Sequence, residues 1–150
     1  MKSIRAVLLF LILVISSISI AQINFQKLSL DAAKAKTEHK YVFIDFRADW
    51  CKPCVAMEKE TFSNVEVGDV INAAFIPMIA DVDYFDAMDM QEHYNVSVLP
   101  TILVINSKGD VQRRLIGQKS PASLMKELNM DFFGSAETNN QEDGEYVETA

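Results

Sequence analysis

Two cysteines separated by two residues, Cys51 and Cys54, stand where an apolar run, Tyr41 to Phe46, gives way to the helix-favouring residues Val55, Met57, Glu58, Lys59 and Glu60. This junction constrains the chain more than any other feature. The run is aromatic and β-branched apart from one carboxylate, Asp45, which reads as a strand buried in a sheet. Cys51 then falls at a helix N-terminus, where unpaired N–H groups and the positive end of the helix dipole favour thiolate over thiol. These are the only cysteines, and a bridge between them closes almost no loop. It stabilises little, so its value lies in being made and broken. Zinc is the competing use of such a pair, but His39 and His93 lie far apart and the usual second half of a zinc site is missing. Both histidines read as surface residues.

The rest of the chain supplies strands and helices around that junction. Asn24 to Leu28 reads as a short opening strand, and Ser29 or Asp31 as the cap of a helix through Ala32, Ala33 and Ala35 to about His39. After an interruption at Thr61 to Asn64, Ser63 or Asn64 caps a helical segment reaching Ala73, with Val67, Val70 and Ile71 on one face. Phe75 to Val82 is a second buried strand, in which Pro77 predicts imperfect pairing. Asp83 is placed to cap a helix from Tyr84 to about Tyr94. Ile102 to Ile105 and Val111 to Ile116 form a hairpin around the Gly-containing turn at Asn106 to Asp110, and Ser120-Pro121 opens a last helix to about Phe132. Strands separated by helices, then a hairpin, then a helix, describe an α/β sandwich with a central mixed sheet flanked by helices. Chemistry in such sheets belongs at the carboxyl end of a central strand, where Trp50 and Cys51 sit.

The two thiols divide the work. Cys51 is read as the exposed attacking sulfur and Cys54, one helical turn on, as the inward-facing sulfur that resolves the mixed disulfide. Lowering a thiol pKa from about 8.5 to about 7 raises the thiolate fraction roughly 16-fold but costs roughly 5-fold in nucleophilicity, so tuning serves redox poise more than speed. Asp45, six residues before Cys51 in an apolar strand, should have a pKa raised by desolvation and serve as a base for Cys54. The alternative is a structural carboxylate at a strand end. Trp50 reads as a packing residue that also shields the dithiol, and Lys52 and Asp49 place opposite charges beside it.

The ends of the chain differ from its centre. Lys2 and Arg5 precede an apolar run from Ala6 to Ile20, and Ser19 and Ala21 suit the small-residue rule for cleavage. Residues 1–21 therefore read as a signal peptide, with a retained membrane anchor as the alternative. Loss of Lys2 and Arg5 would take the formal charge from −7 to −9, which argues against nucleic acid as a partner. Residues 134–150 contain Glu137, Glu142, Asp143, Glu145 and Glu148 and no Lys or Arg. They read as an acidic disordered tail, alternatively one that docks on a basic partner.

The run from Phe43 through Arg47 and Trp50 to Cys54, with Val98-Leu-Pro-Thr101 downstream and Gly117 after the hairpin, resembles the thioredoxin superfamily over roughly Asn24 to Phe133. The Ala48-Asp49-Trp50-Cys51 run, followed by Glu58, Thr61-Phe62-Ser63 and a second helical segment, is most similar to the thioredoxin-like C-terminal domain of the thiol-disulfide interchange protein DsbD. The resemblance implies a thioredoxin fold over 22–133, with Asp45 in the buried-acid position. It also implies a cis peptide bond before Pro100, and a substrate surface made by Trp50, Lys52, Pro53, Leu99, Pro100 and Thr101, with the Leu99 backbone pairing to an incoming strand. Arg47 stands where thioredoxin has an aromatic residue, and Ile79 where it has the lysine that accompanies the buried acid. The Lys52-Pro53 pair also departs from the family, so redox potential stays open. The resulting expectation is an exported, extracytoplasmic (periplasmic) thiol-disulfide oxidoreductase that reduces protein disulfides. It would be a monomer recycled by a membrane thiol donor, with no metal and no cofactor beyond the Cys51–Cys54 disulfide. Oxidase or isomerase action, or a redox-silent holdase using the proline groove, are the alternatives.

Overall fold

Strand β1 (Tyr41–Arg47) lies at the centre because its residues Val42 to Phe46 are all buried, so it needs a covered face on each side and a neighbour along each edge. The computed structural model describes residues 22–27, 29–37 and 40–132. The expected signal peptide, the acidic tail, Leu28 and His39 lie outside them. Around β1 run α1 (Leu30–Ala35), α2 (Lys52–Glu60), α3 (Val65–Ala74), β2 (Phe75–Asp81), α4 (Phe85–His93), β3 (Thr101–Ile105), β4 (Val111–Ile116) and α5 (Pro121–Phe132). The strand order is β2-β1-β3-β4. β1 pairs parallel with β2, from Tyr41 opposite Phe75 to Arg47 opposite Asp81, and antiparallel with β3, from Val42 opposite Ile105 to Phe46 opposite Thr101. β3 and β4 form the expected hairpin, whose turn is held by Asn106 Oδ1 accepting from the Lys108 and Asp110 amides.

Period-two alternation sorts the side chains of β1 onto two cores. Phe43 joins Phe75, Ile102 and Val104 beneath α2, α3 and α5, which contribute Met57, Val67, Ile71, Leu124 and Leu128. Val42, Ile44 and Phe46 join Met78, Leu103 and Ile105 beneath α1 and α4, which contribute Ala33 and Ala87. Asp45 alternates onto the first of these faces, the one that α2 covers. Phe43 packs edge-on against Phe62 and Phe75, at 6.2 and 6.0 Å between ring centroids, and burial of such a ring contributes about 2 kcal/mol.

Several expectations need correction. The opening strand reduces to one bridge, Gln26 with Met78, in which the Gln26 amide donates to the Pro77 carbonyl at 2.8 Å. Helix α1 stops at Ala35 instead of near His39, after Ser29 has capped it by accepting from the Ala32 amide. Pro77 does not disturb pairing with β1, which runs in unbroken register. β2 is an edge strand, and the Pro77 carbonyl points outward to Gln26, so its missing N–H also falls on the outer side. Asp83 does not cap α4; Tyr84 holds that position without a side-chain hydrogen bond. Asn64 does cap α3, accepting from the Val67 amide at 3.1 Å. Among the described residues no helix is long and apolar enough to cross a membrane.

Candidate active site

The chain leaves β1 at Arg47 and turns through Ala48, Asp49 and Trp50, with the Cys51 amide donating to the Ala48 carbonyl at 3.1 Å. That turn places Cys51 at the N-cap of α2, where Lys52 and Pro53 open the helix. Pro53 lacks an N–H that the first helical turn would leave unsatisfied in any case. Cys51 Sγ accepts from the Cys54 amide at 3.3 Å, and the two sulfurs are joined in a disulfide of 2.07 Å. The cap is therefore the reactive atom itself, set against the positive end of the helix.

The expected contrast between an exposed Cys51 and a buried Cys54 is not present in this state. Their residues are 5% and 3% exposed. The bond holds both sulfurs together, and Ala48, Val82 and Leu99 pack around them. Access comes from a groove of about 730 Å³ lined by Trp50, Cys51, Lys52, Pro53, Asp83 and Leu99. Trp50 is 67% exposed, so it stands on the rim and is not a packing residue. Its Nε1 donates to Asp83 Oδ1 at 3.0 Å, which is the use the fold makes of the carboxylate expected to cap α4.

Of the sequence candidates, Trp50, Cys51, Lys52, Pro53 and Leu99 come together on this groove, whereas Pro100 and Thr101 stand behind it. The Leu99–Pro100 bond is cis. The Pro100 carbonyl accepts from the Gly117 amide at 2.8 Å, and Thr101 Oγ1 donates to the Val98 carbonyl at 2.7 Å, so both residues brace the loop that presents Leu99.

Asp45 is buried on the α2 side of the sheet, and its carboxyl pKa is pushed up to about 7. Desolvation is the main cause; the Arg47 cation opposes it and the Glu58 carboxylate adds to it. Asp45 Oδ1 has no hydrogen-bond partner among the described residues. Its register partner on β2 is Ile79, 38% exposed, which brings no charge. The nearby cation is instead Arg47, mostly buried, which donates to Glu58 Oε2 at 2.8 Å and to Asp49 Oδ1 at 3.1 Å. Sequence reading noted Arg47 only as a departure and missed this cluster. Its signal was the two-residue spacing of Asp45 and Arg47, which puts both on one face of the strand. Among the described residues no group of three or more His, Cys, Asp or Glu is placed to hold a metal ion.

Residues 28–130 match the thioredoxin-like domain family. The chain belongs to that family. Over 117 residues, 73% of this chain, it is 37% identical to the thiol:disulfide interchange protein DsbD of Salmonella typhimurium, and the match takes up 20% of that protein's length. The chain thus spans about a fifth of that curated relative. A candidate disulphide-isomerase from Bacteroides thetaiotaomicron superposes with a TM-score of 0.64 at 33% identity, covering 72% of this chain and 91% of that one. The oxidised C-terminal domain of Neisseria meningitidis DsbD superposes with a TM-score of 0.54 at 24% identity, covering 64% and 84%, a likeness of fold. The protein is thus a thioredoxin-fold member of a disulfide oxidoreductase family, with the disulfide between Cys51 and Cys54.

Proposed function

We propose that the protein works as a reductase of disulfides in extracytoplasmic proteins, after export directed by residues 1–21. The observation that carries the direction is the charge around the dithiol. Asp49 precedes Cys51 by two residues, Asp45 is buried on the α2 side of the sheet, and the nearby cation, Arg47, is engaged by Glu58 and Asp49. A strong oxidant needs its reduced thiolate stabilised. Carboxylates work against that, leaving only Lys52 and the helix N-terminus to favour the thiolate.

In the cycle, the Cys51 thiolate attacks one sulfur of the partner's disulfide. A mixed disulfide forms and the partner's other sulfur leaves as a thiolate. Cys54, its proton passing to Asp45, then attacks Cys51 Sγ; the Cys51–Cys54 bond forms and the partner's second sulfur leaves. Two electrons have moved to the partner, which takes up two protons. A membrane thiol donor, itself oxidised to a disulfide, returns the electrons. Leu99, presented by the braced loop, offers its backbone to the partner's strand, while Trp50 on the rim, Lys52 and Pro53 line the groove.

The reduction potential tests the direction. The expected value lies near the roughly −270 mV of thioredoxin, and one near the roughly −120 mV of a strong oxidant overturns the reductase reading. Cys54→Ser is expected to hold partners as mixed disulfides on Cys51. The likeness to the Bacteroides protein favours isomerase action as the second reading. Refolding of a scrambled disulfide protein at fixed redox buffer, compared with simple reduction, separates the two.

A further inference from the structure

Helix α4 turns Ala87 inward and leaves a different stripe to solvent. Phe85, Met88, Asp89 and Glu92, at i, i+3, i+4 and i+7, fall on one face, and that face lines a second groove of about 570 Å³. Phe85 is 85% exposed and Met88 49%. Gln91 and Ser97 line this groove and the dithiol groove alike, so the two run together. From Asp83 to His93 the chain carries Asp83, Asp86, Asp89 and Glu92 and no Lys or Arg. Among the described residues Asp86, Asp89 and Glu92 form no ion pair. An apolar stripe with an uncompensated acidic rim, in a groove continuous with that of the dithiol, is a recognition surface for a cationic and apolar polypeptide.

We propose that this groove binds the segment of the partner next to its disulfide, seating an apolar side chain on Phe85 and Met88 and a neighbouring Lys or Arg against Asp89 and Glu92. Continuity through Gln91 and Ser97 means that the strand presented to Cys51 also passes over α4. A second copy of this chain is a poor occupant, since at a formal charge of −7 it meets an acidic rim with like charge. Specificity thus comes from α4, which leaves the backbone contacts at the dithiol free to accept many sequences.

The proposal takes from the reductase reading only the origin of the partner, so its test is binding without electron transfer. The full chain carrying Cys51→Ser and Cys54→Ser is titrated against a short fluorescein-labelled Gly/Ser peptide that contains a Phe-Arg pair, and against its counterpart with Ser-Glu in those places. The Phe-Arg peptide is expected to bind about tenfold more tightly, as one buried aromatic side chain allows. Adding Phe85→Ser and Met88→Ser should abolish the preference; both side chains lie at the surface, so the fold does not rest on them. Adding Asp89→Asn and Glu92→Gln should reduce it and remove its dependence on salt. Equal binding of the two peptides, or a preference that survives Phe85→Ser/Met88→Ser, overturns the proposal. An oxidising potential alongside an intact preference would sink the reductase reading alone.

Discussion

Asp45 shows how one buried group links stability to chemistry. Below about pH 4 its carboxyl is neutral in the folded and unfolded chains and has no differential effect. As pH rises from the unfolded value of 3.8 to the folded value of about 7, the unfolded chain gives up this proton and the folded one keeps it. Stability therefore falls across that window, by about 4 kcal/mol in all, and the loss is constant above it. Asp45→Asn removes the titration. In urea unfolding at pH 4 and pH 8, the variant should gain on wild type by about 4 kcal/mol between the two, and an unchanged difference would refute the burial argument. Arg47 pulls the Asp45 pKa down from where burial alone would set it. Arg47→Met should move the pH midpoint of mixed-disulfide resolution upward and slow resolution at pH 7. Stopped-flow rates across pH 5 to 9 read this, and a midpoint that stays in place would leave Arg47 with a structural part only. The two-residue spacing with Asp45 was legible in the sequence. The engagement of Arg47 by Glu58 was not, because α2 must first fold back over β1.

Elements whose ends are set by local chemistry were read closely. Asn64 caps α3 as its spacing suggested, since an Asn three residues before a helical amide satisfies that donor without help from elsewhere. Asn64→Ala should cost about 1 kcal/mol, measured by chemical denaturation, with thiol exchange unaltered. Where a tertiary partner competes, local reading failed. Asp83 has the right chemistry for a cap but serves Trp50 across 33 positions of sequence. Pro77 was a warning against strand pairing that the edge position of β2 removed. The opening segment had a strand's composition, yet β2 takes only a single bridge from it.

For the whole molecule, the main question is whether the fold tolerates opening its only disulfide. The linked residues are three apart, so the cross-link constrains the unfolded chain weakly, by about 2 kcal/mol on a loop-entropy basis. Two cores on opposite faces of the sheet hold the domain independently of that bond. Thermal unfolding with and without reductant should show a lower midpoint for the reduced protein and the same far-UV circular dichroism at 25 °C. Collapse of the helical signal on reduction would show that the disulfide is structural, contrary to a bond made to be opened.

By itself the sequence determined the strand-to-helix junction, the pairing of Cys51 with Cys54, the order of strands and helices, and the burial of Asp45. Each follows from covalent spacing or from the alternation of apolar residues, which act over a few positions. Only the tertiary structure decided which charges surround the dithiol, that Trp50 stands on the rim, that Pro100 and Thr101 brace the groove without lining it, and that α4 opens a second groove beside the first. Those are matters of Coulomb interaction and desolvation, which depend on distance through space, and in a folded sheet the nearest neighbours come from segments far apart along the chain.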